Sequence, residues 1–268
     1  MRITGGWRIA VVLVATVVAG CAQKTTNLPP GTADADKFLF DRGSEAAKER
    51  KWIDAREYFR NLVDNYPQSP YRPDAKLALG DTYISEDTTE SLLLGANEFR
   101  EFLTFYPTHP KADYAQLQLA KSFMEQMLGP ERDQSATKDA IREIEIFLQR
   151  FPNSALINEA RTMERTARDR MSEASYRVGY FYYRNKYYPG AIDRFQEVLK
   201  NDPGFTNRDA LYYHLAESLY RSVPSRAAEA LPYYERLLKE FEKSEFMAAA
   251  QKRVAELKAA AEKPPTGR

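Results

Sequence analysis

Metal chemistry and nucleophilic catalysis draw on cysteine, histidine and paired carboxylates. The first two are scarce here: one cysteine, Cys21, and two histidines, His109 and His214, in 268 residues. No metal cluster can be assembled from that stock with usable spacing. No G-x-S-x-G, H-E-x-x-H or phosphate-loop pattern occurs. Acidic clusters exist, Glu143 with Glu145 and Glu86 with Asp87 and Glu90, but charged residues make up 29% of the chain, and such clusters read as solvated faces. The aromatic run Tyr180-Phe181-Tyr182-Tyr183, followed by Tyr187-Tyr188, suits binding better than reaction. Most of its rings are expected between packed helices, with one or two left for a groove. These residues predict no catalytic site, no metal and no cofactor, and a function performed by binding rather than by an enzyme.

One position does carry chemistry, done to the chain rather than by it. Cys21 is a lone cysteine and cannot form an internal disulfide. Residues 1–20 read as a signal peptide: Arg2 and Arg8 form the positive region and Ile9 to Val18 the apolar region, about half of the roughly 20 residues a bilayer span needs. Val18-Ala19-Gly20-Cys21 resembles the bacterial lipobox, in which the cysteine becomes the first mature residue and is acylated. Stable anchoring needs more than one acyl chain, and bacterial lipoproteins carry several, palmitate among them. Ala22 stands where an aspartate often retains lipoproteins at the inner membrane, which favours the outer membrane of a Gram-negative cell. Residues 21–35 are polar and contain Pro29, Pro30 and Gly31, a flexible tether from the lipid to the folded part. Residues 262–268, with Pro264-Pro265, read as a frayed tail.

The chain has 39 Lys+Arg and 38 Asp+Glu. Without Arg2 and Arg8 the balance is 37 to 38, which leaves no electrostatic footprint for nucleic acid. Glycines are few, at 12, and so are alternating β-branched runs, so a β architecture is disfavoured.

The elements that position everything else come from a repeat. A small residue, a large apolar one four later and a proline eight beyond that recur as Ala55-Phe59-Pro67, Gly95-Phe99-Pro107, Ala140-Ile144-Pro152 and Ala191-Phe195-Pro203. Ala230-Tyr234-Glu242 is a fifth instance without the proline. This resembles the tetratricopeptide (TPR) repeat. There the small residue lets helices A and B cross closely, the large one fills the core a turn away, and the proline ends helix B. Gly43 and Gly179 each precede the small residue by 12, and Gly179 with Tyr182 matches the glycine–tyrosine pair of helix A. Polar insertions are expected as loops at Ser85 to Ser91 and Leu128 to Thr137. No Pro or Gly interrupts 155–178, where Ile157, Ala160, Met163, Ala167, Met171 and Ala174 keep helical spacing and predict one long helix joining two halves. A last helix over 244–261, polar at Gln251, Lys252, Arg253, Glu256 and Lys258, is expected to cap the array. The predicted fold is all-α: a right-handed superhelical array of about five TPR-like helix pairs, with repeats 1–3 in 36–155 and repeats 4–5 plus the cap in 156–261.

Tyr66-Pro67-Gln68-Ser69-Pro70-Tyr71, Tyr106-Pro107-Thr108-His109-Pro110, Asp113-Tyr114, Arg132-Asp133, Phe151-Pro152-Asn153-Ser154 and Arg168-Asp169-Arg170 are similar to segments of the BamD (ComL-type) lipoproteins of the β-barrel assembly machinery. The P-T-H-P-x-x-D-Y stretch is the most specific, and the resemblance runs over roughly 36–245, weakening at Phe241-Glu242. It implies a lipid-anchored protein at the periplasmic face of the outer membrane. It also implies binding to BamA through its POTRA domains, reception of unfolded outer-membrane proteins, and contact with other Bam lipoproteins. TPR grooves are lined by A helices, and phase with Gly43 and Gly80 puts Lys37, Phe40, Ser44, Lys48, Asp74, Leu77 and Asp81 inward, with Tyr114 from repeat three, as the client groove. If the resemblance holds through Tyr187 to Leu199, Arg194 falls on an arginine that BamD-type proteins use against a POTRA domain. Another periplasmic TPR lipoprotein, a pilus-secretin pilotin or a cell-division coordinator, would share the array and differ in its partner. A cell-wall enzyme scaffolded on the array has no supporting motif.

Overall fold

The computed structural model describes residues 34–222 and 226–261. The signal peptide, Cys21, the tether up to residue 33 and the tail 262–268 lie outside the described residues. Among those described there are eleven helices and no strand: α1 (Ala35–Lys48), α2 (Trp52–Asn65), α3 (Arg72–Glu86), α4 (Thr89–Phe105), α5 (Ala112–Glu125), α6 (Ser135–Arg150), α7 (Ile157–Arg184), α8 (Tyr188–Asn201), α9 (Arg208–Ser222), α10 (Ala227–Glu240) and α11 (Met247–Ala261). The all-α array of helix pairs is as the repeat predicts. Each helix packs on the next, and the odd-numbered A helices also touch one another, α1 on α3 through to α7 on α9. No comparable contact joins successive B helices, so the A helices line the concave side.

The repeat motif explains the crossings. A Cβ built on Gly43 would lie 2.7 Å from Phe59, on Gly80 2.7 Å from Phe99, and on Gly179 2.7 Å from Phe195. Those rings are buried, so glycine is what lets α1, α3 and α7 reach their B helices. Before each proline the backbone leaves the helical region, at Tyr66 (φ −124°, ψ 65°), Tyr106, Phe151 and Asp202. Phe241 does the same (φ −135°, ψ 68°) although Glu242 follows, so packing replaces the proline in the fifth turn. An aspartate on an A helix clasps the turn that closes the repeat: Asp113 accepts from Ser154 Oγ (2.6 Å), Asp169 from Thr206 Oγ1 (2.7 Å) and Asp209 from Ser244 Oγ (2.7 Å).

One expectation needs correction. Ser85 to Ser91 is not a polar loop: α3 runs to Glu86, Asp87 takes a left-handed conformation (φ 53°), and α4 begins at Thr89. The reason is a capping box, with Thr88 Oγ1 accepting from the Ser91 amide (3.1 Å) and Ser91 Oγ from the Thr88 amide (2.9 Å). α7 is continuous over 28 residues. Its Ala160, Met163 and Ala167 pack with α5 and α6, and its Tyr176 packs with α8 and α9.

Candidate functional site

Among the described residues no group of three or more His, Cys, Asp or Glu could hold a metal ion. On the concave side of repeats one to three, Lys37 is exposed and paired with Asp41 (2.7 Å). Phe40 is half-buried and stacks on Tyr71 at 5.5 Å between centroids. Ser44 Oγ donates to the Phe40 carbonyl (2.8 Å), and Lys48 is exposed. Asp74 accepts from Lys111 (2.9 Å) across the α3–α5 boundary. Leu77 does not belong to the groove. It is 3% exposed and packs with Ala96, Phe99 and Phe102, because α4 covers the face that helical phase alone assigned to the concave side.

Asp81 and Tyr114 meet, and they meet each other: the Tyr114 hydroxyl donates to Asp81 Oδ1 at 2.7 Å. Burial pushes the Asp81 carboxyl up to about 6, against the lowering effects of that hydrogen bond, Lys111 and Lys121. Burial and the Asp81 charge push the Tyr114 hydroxyl up as well. The pair ties repeat two to repeat three and fixes part of the groove's curvature.

In the C-terminal half the aromatic run divides by helical phase. Tyr176, Gly179, Tyr180 and Tyr183 face the core. There they surround His214, with Tyr180 at 4.9 Å and Tyr183 at 5.0 Å between centroids. His214 Nδ1 lies 2.8 Å from the Ala210 carbonyl and 2.9 Å from the Tyr176 hydroxyl. Burial holds its pKa below the usual value, so it serves as a neutral core residue. Phe181 and Val178 fall off this stripe and are exposed. They line a cleft of about 590 Å³ between α7, α8 and the connection before α6. Arg194 lines the same cleft, its Cβ over Gly179 and its guanidinium 3.0 Å from Glu197 on its own helix. Sequence reading did not place Val178, Phe181, Arg132 and Lys138 beside Arg194. The available signal was the phase of α7, in which residues two and five after Tyr176 leave the buried stripe.

Ion pairs stiffen this half. Glu217, 1% exposed, accepts from Arg253, Tyr234 and Arg221, each at 2.7 Å, joining α9, α10 and α11. Burial alone would raise its pKa; these hydrogen bonds outweigh that and hold it below the usual carboxylate range. Asp202 accepts from Ser172 (2.7 Å) and from Arg165, tying the turn after α8 to the middle of α7.

No helix among the described residues is long and apolar enough to cross a membrane. The outer membrane protein assembly factor BamD of Caulobacter vibrioides is 29% identical over 219 residues, 80% of this chain and 68% of that protein. The factor of the same name from Vibrio cholerae is 26% identical over 204 residues, 71% of this chain and 81% of that protein. The one from Rickettsia prowazekii is 24% identical over 217 residues, 81% of each. Of solved structures, the TPR2AB domain of yeast Sti1 covers 85% of this chain and 84% of that chain at a TM-score of 0.47 and 14% identity. The family described as YfiO, outer membrane lipoprotein, matches residues 32–229, from the entry into α1 to the first turn of α10. With the helix-pair array extending over that whole span, the chain belongs to the YfiO family of outer membrane lipoproteins.

Proposed function

We propose that this chain is a lipid-anchored TPR scaffold of the outer-membrane β-barrel assembly complex. Anchored through lipid on Cys21 at the periplasmic face of the outer membrane, it binds the POTRA domains of BamA and receives unfolded outer-membrane proteins. It acts by binding and carries out no catalysis. The observation that supports this best is the family match over 32–229, together with relatives that bear the printed name of outer membrane protein assembly factor.

Within that reading Arg194 contacts BamA. Its intramolecular partner is an exposed i,i+3 glutamate, and such a pair is worth about 0.3–0.5 kcal/mol, so the guanidinium is readily given over to a partner carboxylate. Its planar fork grips a carboxylate in a bidentate fashion that lysine cannot reproduce. The groove contacts for clients are Lys37, Phe40, Ser44, Lys48 and Asp74, with Asp81 and Tyr114 acting as one bonded pair.

Co-purification after mild detergent extraction tests the assignment. BamA is expected, and recovery of a secretin or a division protein in its place overturns it. Arg194→Ala should weaken affinity for the isolated POTRA region by about 2–5 kcal/mol if the contact is desolvated, with Arg60→Ala, on the outer face, unchanged. Cross-linking from Lys37 or Asp74 should capture a barrel-protein C-terminal peptide, and equal capture from Arg60 removes the groove from the reading.

A further inference from the structure

We infer that His109 is a proton-sensitive latch on the joint between repeats two and three. Neutral, it closes the turn that positions α5; protonated, it releases that turn and loosens the client groove. The inference rests on the reading that the concave side of repeats one to three holds clients, and names what regulates that grip.

Comparison with the other turns shows the latch. Ser69, Ser154 and Ser244 each stand three residues after the aromatic residue that closes a B helix: Tyr66, Phe151 and Phe241. Each serine Oγ accepts from the amide two residues on, that of Tyr71 (3.1 Å), Leu156 (3.1 Å) and Phe246 (3.2 Å). Each hydroxyl also donates to an aspartate on the A helix of its own repeat. Ser154 bonds Asp113 and Ser244 bonds Asp209, and a hydrogen bond from Ser69 holds the Asp36 carboxyl below the usual carboxylate range. After Tyr106 the same position is His109. Its Nδ1 accepts from the Lys111 amide (3.1 Å), in the serine's place. A backbone amide only donates, so Nδ1 is bare and the single ring proton sits on Nε2. A bare Nδ1 has no proton to give Asp74, the aspartate of this repeat, and Lys111 Nζ supplies one instead (2.9 Å). Lys111 thus carries both bonds: His109 holds its amide, and its side chain holds Asp74 on α3.

A second proton on the ring goes to Nδ1, and an N–H then faces an N–H. The turn keeps its backbone bonds, His109 N–H to the Tyr106 carbonyl (3.2 Å) and Ala112 N–H to the His109 carbonyl (2.9 Å), and loses the one its side chain makes. Lys111 is the N-cap residue of α5, so the loss is felt at Lys111 and at Tyr114 one turn on. Both tie α5 to α3, Lys111 through Asp74 and Tyr114 through Asp81. Imidazole is the side chain whose ordinary charge change falls between pH 5 and 8; a serine hydroxyl at the same place does not titrate. The ring's surroundings come from several elements. The Phe102 ring of α4 and the Tyr106 ring after it stand edge-on at 5.4 and 6.4 Å between centroids, and Arg72 of α3 donates to the Tyr106 hydroxyl (2.9 Å). Lys111 adjoins in the turn, with Asp74 beyond it. On the open side a cleft of about 320 Å³ is lined by Asp113 of α5 and Arg150 of α6, and gives a charged ring water to turn into. Asp74 and Asp113 are already bonded, to Lys111 and to Ser154, so no unpaired carboxylate waits to hold the protonated ring closed.

The test uses the full chain in mild detergent, with a histidine-free peptide carrying the C-terminal strand of an outer-membrane barrel protein as the probe. Its affinity should fall about 2- to 10-fold between pH 7.5 and pH 5, the worth of one hydrogen bond. Over the same interval the protection of the Lys111 amide against hydrogen exchange, corrected for the intrinsic pH dependence of exchange, should fall by a similar factor. His109→Ser supplies the hydroxyl found at the other turns, and should bind at pH 7.5 as the parent does with both pH effects gone. His109→Phe keeps a ring but removes the acceptor, and should behave at pH 7.5 as the parent does at pH 5. Equal protection of the Lys111 amide at both pH values in the parent overturns the latch. So does a pH effect on binding that survives in His109→Ser; if Asp81→Asn abolishes it instead, the sensor is the Asp81–Tyr114 pair. Loss of protection with affinity unchanged overturns the coupling to the groove. If the peptide does not bind the parent at pH 7.5, the groove reading fails, and exchange of the Lys111 amide alone decides the latch.

Discussion

Gly179→Ala tests the packing rule and the position of Arg194 together. An added Cβ would lie 2.7 Å from Phe195 Cε1, 2.8 Å from Cδ1 and 3.2 Å from Arg194 Cβ. Carbon atoms prefer about 3.5–4.0 Å, so α8 or the ring must withdraw by most of an ångström. Phe195 is fully buried and sits 5.6 Å from the Tyr176 ring and 6.3 Å from His214, centroid to centroid, so the ring has nowhere to turn. Overpacking of this kind costs about 1–3 kcal/mol, while alanine regains about 0.8–1 kcal/mol of helix propensity. The expected result is a net loss of up to about 2 kcal/mol, with α8 and Arg194 displaced outward. Gly190→Ala is the contrasting variant. Its Cβ would come closer still, 2.5 Å from Tyr187 Cε1, but Tyr187 is 58% exposed and can swing into solvent. There the propensity gain should win, leaving stability equal or higher by up to about 1 kcal/mol. Guanidinium denaturation followed by circular dichroism, in the unlipidated Cys21→Ser background, measures both. If Gly179→Ala is more stable than the parent, or Gly190→Ala is the worse of the two, the argument that the mobility of the neighbour decides the sign is wrong.

Cys21→Ser should abolish acylation and release the protein from the membrane fraction; an unlipidated protein that still sediments with membranes refutes the anchor. Arg253→Met should cost about 3 kcal/mol in denaturant titrations, because it strips one of three donors from a buried carboxylate, and a loss under about 1 kcal/mol would show that Arg221 and Tyr234 suffice. Glu217 has a depressed folded pKa, so its contribution is full above its unfolded value near 4.3 and disappears as pH falls through the lower folded one; Glu217→Gln should therefore be less stable than the parent at pH 7 and approach it below about pH 4. Asp81 has the opposite sign. Its folded value of about 6 exceeds the ordinary aspartate value of 3.8, so its charge opposes folding progressively as pH rises between those values. Asp81→Asn keeps an acceptor for Tyr114 and should raise the melting temperature at pH 7.5 but not at pH 4; an equal gain at both would refute the burial argument.

The helix pairs were legible in the sequence because their determinants are local. A small residue, an aromatic one turn later and a proline beyond it act within a single helix and its end, and Gly43 or Gly179 needs nothing farther away than its own repeat. The length of α7 was legible for the same reason, since 155–178 contains neither proline nor glycine. The Thr88–Ser91 capping box was present as well, but Ser91 stands where glutamate or glutamine usually signals one, and the segment reads as a loop. What the sequence did not contain was the relation between repeats. Phase about a helix axis gives angles relative to that helix alone. Whether Leu77 faces groove or core depends on where α4 lies, and whether Phe181 is covered depends on α8 and the connection before α6. The Asp81–Tyr114 bond joins residues 33 apart, and Glu217 collects donors 4, 17 and 36 residues away. Those distances are set by how each repeat is rotated on the last, and that rotation is the sum of many side-chain contacts with no periodic signature in the chain.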